Sequence, residues 1–184
     1  MDNFRLSPTD EDKLYLKDLV LLSINARLSG QDPAAPPDPP SSLLRQELGA
    51  FVTLKRNGQL RGCIGNIIGQ GPLFRTVWSM AQAAAFEDPR FPSLTQPELA
   101  DLEVEISILG PVLPCPDPEQ VEVGRHGLIM RQGSRQGLLL PQVPLEWGWD
   151  RHQFLAQTCR KAGLPAQAWR DATTQIYWFE AVVF

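Results

Sequence analysis

The chain has 184 residues, 43% hydrophobic and 21% charged, a globular balance with apolar material for one sizeable core or two small ones. Its formal net charge is −4 and its Lys and Arg are scattered, which argues against the basic patch that nucleic-acid binding requires. No apolar stretch approaches the ~20 residues that span a bilayer, and no leader-like apolar region follows Met1–Arg5.

Length favours one domain over 1–184, and 17 Pro with 14 Gly favour short elements over a helical bundle. Cysteines at 63, 115 and 159 make no disulfide framework, so a reduced, cytoplasmic setting is expected. In chain order, Ser7-Pro8 reads as a helix N-cap with Pro in the first turn, followed by the acidic Asp10, Glu11 and Asp12. Tyr15, Leu19, Leu22 and Ala26 recur at helical spacing as the expected core face, and Gly30 is a natural stop. Residues 31–42, with five prolines, read as an extended insert.

Residues 50–56 and 59–64 flank Asn57-Gly58, the preferred pair of a two-residue hairpin turn. An unbroken register from that turn sets Leu54 against Arg61 and Val52 against Cys63. Arg61 and Cys63 then share one face, with Leu60, Ile64 and Phe51 on the other. Residues 72–85 read as a helix that must end before Pro89. Leu102, Val104, Ile106 and Ile108 alternate with Glu103, Glu105 and Ser107 as a strand with one wet face, which suits an antiparallel sheet.

Residues 110–118 form a second Pro-rich connection and a candidate lobe boundary. Strands are expected around 128–130 and 138–140, joined by a turn-rich 132–137. A helix is expected after Asp150, with Phe154, Leu155, Thr158, Cys159 and Ala162 inward and Gly163 as its stop. A closing strand is expected over 175–184.

Five ordered blocks then carry a resemblance. They are Leu60-Arg61-Gly62-Cys63-Ile64-Gly65, the run 84–91 through Phe86-Glu87-Asp88-Pro89-Arg90, Gly124-Arg125-His126-Gly127-Leu128, Leu138-Leu139-Leu140-Pro141-Gln142-Val143, and the run 158–165 around Cys159. Together they resemble the AMMECR1 domain, whose bacterial relatives are discussed as protein A of the AmmeMemoRadiSam system. The resemblance implies an α+β fold of mainly antiparallel sheets flanked by helices, with a larger and a smaller lobe and a cleft between them. It also implies a Memo-like and a radical-SAM protein as partners, and it delivers no established reaction.

Among the residues themselves, Cys63 is the first candidate for chemistry, because a thiolate is the reactive form and a cation nearby, here Arg61, favours it. Gly62 and Gly65 leave room for a substrate or another backbone. His126 lies in a turn-prone segment, where a histidine that meets a cysteine makes a base and nucleophile pair. Glu146, between a strand and a helix, is a candidate acid, base or orienting group. Arg125 and Gln142 are candidate binding residues, and Trp147 and Trp149 candidate pocket walls.

Against these stand plainer readings: a small buried Cys63, a turn-capping His126, and tryptophans that serve the core. Asp88 and Arg90 read as a pair that fixes a tight helix exit, Cys159 as core, and His152 as surface. No metal-ligand spacing, Walker loop or dinucleotide fingerprint is present, and no cofactor is expected. Two functions follow: a cysteine-dependent enzyme acting on a small molecule or modified peptide around Cys63, or a non-catalytic accessory module for a Memo-like or radical-SAM partner.

Overall fold

The structure, a computed structural model, describes residues 6–30 and 35–184. The first five residues, where no leader is expected, and the start of the Pro-rich insert lie outside the described residues. The chain divides into two compact units, Leu6–Leu109 with Val182–Phe184, and Gly110–Ala181.

The first unit opens with α1, Asp10–Leu28. Its N-cap is Thr9, two residues beyond the expected Ser7. The Thr9 hydroxyl accepts from the Asp12 amide while the Asp12 carboxylate accepts from the Thr9 amide, a reciprocal cap that satisfies two otherwise orphaned donors. Gly30 takes φ +63° just past the end. The buried face is Leu16, Leu19, Val20, Ser23, Ile24 and Ala26, whereas Leu22 is 47% exposed, so the expected core face is rotated by about one residue.

Two strands follow, β1 Gly49–Arg56 and β2 Gln59–Asn66, paired antiparallel. Asn57 and Gly58 take φ +51° and +71°, the geometry that an Asn-Gly hairpin turn needs. The helix α2, Leu73–Phe86, covers one sheet face, and the strand β3, Leu102–Leu109, pairs with the far side of β1. Ala50, Val52 and Leu54 of β1, with Ile106 and Ile108 of β3, are fully buried beneath the helices. Ser23 of α1 donates to the Trp78 carbonyl of α2 inside this core at 2.9 Å. At the chain end, Phe184 exchanges both backbone hydrogen bonds with Ile106.

Between Leu54 and Lys55 the hairpin register slips, so that Lys55 faces Leu60 while Leu54 faces Gly62. Arg61 is the extra residue of a β-bulge. The expected pairings of Leu54 with Arg61 and Val52 with Cys63 are therefore replaced by Leu54 with Gly62 and Thr53 with Cys63. Because a one-residue slip exchanges faces, Cys63 shares its face with Phe51, Thr53, Lys55 and Leu60, and only Ile64 keeps its expected place opposite.

The second unit holds the strands β4, Leu113–Pro114, β5, His126–Gln132, and β6, Arg135–Leu139. Two helices follow, α3, Gln142–Glu146, and α4, Arg151–Lys161, before the last strand, β7, Gln175–Val183. All pairings are antiparallel, with β5 between β6 and β7 and the short β4 on the other side of β7. The turn joining β5 and β6 is Gly133-Ser134, tighter than the expected 132–137.

Asp150 caps α4 through the Gln153 amide, and Phe154, Leu155, Thr158, Cys159 and Ala162 are buried as expected. They meet Leu128 and Met130 of β5 in a core bordered by Trp149, Trp169 and Trp178. Burial raises the Cys159 thiol pKa, which suits an inert core thiol. The fold is thus α+β, with antiparallel strands flanked by helices.

At Gly62 a Cβ would drive into the Ala84 carbonyl of α2. We expect Gly62→Ala to cost roughly 1–3 kcal/mol through overpacking. Urea denaturation measures this, and a variant as stable as the parent refutes the close approach of β2 and α2.

Candidate functional site

Strand β2 lies at an edge of its sheet, so the backbone groups of Cys63 that point away from β1 need partners elsewhere. The segment after α2 supplies both. The Asp88 carboxylate accepts from the Cys63 amide at 2.9 Å, and Arg90 donates to the Cys63 carbonyl at 3.3 Å. Asp88 is 4% exposed and also accepts from the Arg90 guanidinium at 2.7 and 2.9 Å and from the Arg90 amide at 3.1 Å. These bonds, led by that to the guanidinium, hold its carboxyl well below the usual carboxylate range against the effect of burial. The pair read from sequence as a helix exit is also the clasp of the candidate cysteine.

The Cys63 side chain is half-buried. Its Sγ lies 3.2 Å from the Thr53 Oγ1 on β1. Thr53 faces Glu105 of β3 in the register, and residues directly opposite in an antiparallel pair have Cβ atoms about 5 Å apart on one face. Thiol, hydroxyl and carboxylate therefore form a row across three strands. Lys55 of β1 binds the Glu105 carboxylate at 2.8 Å.

The cation beside the cysteine is Arg90 rather than Arg61. Arg90 is held above its ordinary pKa chiefly by its hydrogen bond to Asp88. Arg61 is turned by the bulge toward Glu98, which it grips through Nε at 2.8 Å and Nη2 at 3.2 Å. Arg56, which alternates with Leu54 and so lies on the helix-covered face, approaches the same carboxylate at 3.7 Å. The Arg61 bond lowers the Glu98 pKa to about 2, with help from the Thr95 amide and hydroxyl. Arg61 is thus a structural tie. The room left by Gly62 and Gly65 is also taken by the protein, by the Ala84 carbonyl in the first case and by Ala50 and the Phe51 ring in the second.

The other sequence candidates belong to the Gly110–Ala181 unit. His126 opens β5 and is 7% exposed. Its Nδ1 accepts from the Glu122 amide at 3.0 Å, and its ring lies 4.4 Å from that of Trp178. Burial first, then the neighbouring Arg125, lower its pKa, while Glu122 and Glu180 oppose them. Arg125 binds Glu180 at 2.8 Å and Glu122 at 3.0 Å. Glu146 is exposed at the end of α3, and among the described residues no hydrogen bond joins it to His126. Gln142, at the start of α3, has a buried Oε1 without a partner among the described residues. Trp147 and Trp149 stack at 6.0 Å, with Trp147 70% exposed.

Sequence reasoning missed Thr53, Glu105 and the reach of Asp88 and Arg90. The alternation of Glu103, Glu105 and Ser107 was the available sign for Glu105, but its partner depended on the slipped register. Among the described residues no three His, Cys, Asp or Glu side chains gather as a metal-holding group, and no helix is long and apolar enough to cross a membrane.

These features define an α+β protein with a half-buried thiol on an edge strand whose backbone an Asp–Arg pair grips. The family model described as AMMECR1 matches residues 18–184, and the chain belongs to the AMMECR1 family. A protein of Methanothermobacter thermautotrophicus is 41% identical over 181 residues, covering 95% of this chain and 94% of its own. One of Thermococcus onnurineus is 45% identical over 159 residues, covering 81% and 78%. The crystal structure of uncharacterized protein PH0010 from Pyrococcus horikoshii superimposes with a TM-score of 0.83 at 38% identity, over 98% of this chain and 93% of that one.

His126 gives the fold a pH dependence of defined sign. Its native pKa lies below the ordinary 6.5, so the unfolded chain binds the proton first and stability falls with pH. The contribution is complete above about pH 6.5 and is lost as pH drops through the depressed native value. Urea denaturation between pH 8 and 5 should show this slope in the parent and a flatter one in His126→Gln. A slope unchanged in His126→Gln excludes His126 as its source.

Proposed function

We propose that this AMMECR1-family chain is a cysteine-dependent enzyme that acts on a small molecule or a modified peptide, with Cys63 as nucleophile. The observation that carries the reading is the 3.2 Å contact between the Cys63 sulfur and the Thr53 hydroxyl, in line with Glu105. A nucleophilic thiol must lose its proton, and it is activated by a base within reach or by a cation that favours the thiolate. In this reading Thr53 takes the proton from Cys63 across the 3.2 Å contact and passes it toward Glu105, its register partner on β3. Asp88 and Arg90 hold the Cys63 backbone, which fixes where the sulfur can point. In this reading the acid–base work belongs to Thr53 and Glu105, and His126 and Glu146 have no step assigned.

Iodoacetamide labelling from pH 5 to 10, followed by mass spectrometry, tests the nucleophile. Cys63 should label in the native protein, and Cys159 only after unfolding. Thr53→Val and Glu105→Gln should each slow Cys63 labelling by roughly ten- to a hundredfold while melting near the parent temperature. A Cys63 that resists labelling until the chain unfolds ends the nucleophile reading.

A second reading, an accessory module for a Memo-like or radical-SAM partner, is favoured by one feature of the Gly110–Ala181 unit. Leu145 and Trp147 are 61% and 70% exposed at the end of α3, and exposed aromatics of this kind anchor protein interfaces. It predicts that Trp147→Ser abolishes co-purification with such a partner and that Cys63→Ser does not. Equal recovery of the partner by parent and Trp147→Ser rejects this surface.

A further inference from the structure

Helix α1 is apolar on two sides. Beyond its buried face it shows Leu14, Leu21 and Leu22 to solvent at 63%, 37% and 47% exposure. Exposed leucines at helical spacing ask what covers them. The answer is partly in the Leu6–Leu109 unit itself, where a cavity of about 560 Å³ lies over this stripe. Tyr15, Leu21 and Leu22 line it from α1, Pro37 from the Pro-rich segment and Leu99 from the turn before β3. The Tyr15 hydroxyl donates to the Pro37 carbonyl at 2.6 Å, which pins the Pro-rich segment at the cavity wall. The volume falls within the range of small-molecule sites, about 300–1,000 Å³.

The polar part of the lining has one sign. Asp18 lies in the middle of the stripe and lines the cavity. Its helical neighbours three and four residues away are Leu14, Tyr15, Leu21 and Leu22, none of them a cation. Among the described residues Asp18 has neither a hydrogen bond nor an ion pair. A second carboxylate, Asp38, follows Pro37 and is paired with Arg45 at 3.3 Å. Among the described residues no lysine or arginine lines the cavity, and the Asn25 side-chain oxygen, another lining group, already accepts from Gln96 at 3.4 Å.

We propose that this cavity binds a small apolar cation, an alkyl- or aryl-ammonium whose hydrocarbon part covers Leu21, Leu22 and Leu99 and whose charged head meets Asp18. An apolar wall with a single uncompensated carboxylate selects such a ligand. A neutral hydrocarbon leaves the carboxylate unused, and an organic anion is repelled by it. The site is separate from the thiol row and stands or falls independently of the proposed activity of Cys63.

The test is a two-dimensional NMR titration of the whole protein with n-hexylammonium, n-hexanol and n-hexanoate at low ionic strength. Hexylammonium should bind with a Kd of roughly 1 mM and shift amides of 15–25 and 99. Hexanoate should bind at least about tenfold more weakly, a difference of 1.4 kcal/mol. Asp18→Asn should weaken hexylammonium about tenfold, Leu22→Arg should abolish its binding by placing a cation in the groove, and Cys63→Ser should change nothing. Parent-like melting of the Asp18 and Leu22 variants confirms that each is folded. Equal binding of hexanoate, an unweakened Asp18→Asn, or shifts confined to other parts of the molecule overturns the proposal.

Discussion

The backbone of Cys63 sits on an open strand edge, and the fold of the Leu6–Leu109 unit is arranged around closing it. An edge amide and carbonyl invite pairing with another chain. Here the invitation is answered from within, by Asp88 on the amide and Arg90 on the carbonyl. The clasp is available only because α2 comes close enough to β2 to deliver its exit segment there. That approach depends on Gly62, where the Ala84 carbonyl occupies the space of a side chain. Gly62, Cys63, Ala84, Asp88 and Arg90 thus form one device, and a change in any of them is felt by the others.

The device also explains how two arginines divide their work. The bulge at Arg61 turns its guanidinium to Glu98, which is itself held in place by capping the turn at Thr95. This ties the hairpin to the segment that leads into β3. Arg90, reached through a tight exit from α2, is left to serve the cysteine. A buried carboxylate such as Asp88 is tolerated because its acceptor sites are filled by the Cys63 amide, the Arg90 amide and the Arg90 guanidinium, which offsets the cost of removing it from water.

What was legible in the sequence follows the range of the interactions. The Asn57-Gly58 turn and the α4 helix from Asp150 to Gly163 are local patterns, and each is found where residue chemistry puts it, whereas Ser107, expected on the wet face of β3, is buried. The bulge was not legible, because one extra residue in a strand leaves no compositional trace, yet it moved Phe51 and Leu60 to the other face. The Asp88–Arg90 pair was visible as a local turn, but its contact with Cys63 spans 25 residues of sequence. Thr53 was hidden for the same reason, since only the true register sets it against Cys63. His126 was noticed for its loop position, while its ring is held by the Glu122 amide and Trp178.

The rotation of α1 shows why periodicity alone misassigns a face. Tyr15, Leu19, Leu22 and Ala26 keep helical spacing, but so do Leu16, Leu19, Val20, Ser23 and Ile24, and a helix apolar on two sides gives no single stripe to choose. The buried side is decided by packing against α2 and β3, where Ser23 finds the Trp78 carbonyl and Tyr15 would leave its hydroxyl without water. Tyr15 turns outward and meets Pro37 instead. A polar atom that needs a partner thus settles which hydrophobic face goes in, and the leucines on the losing face become surface.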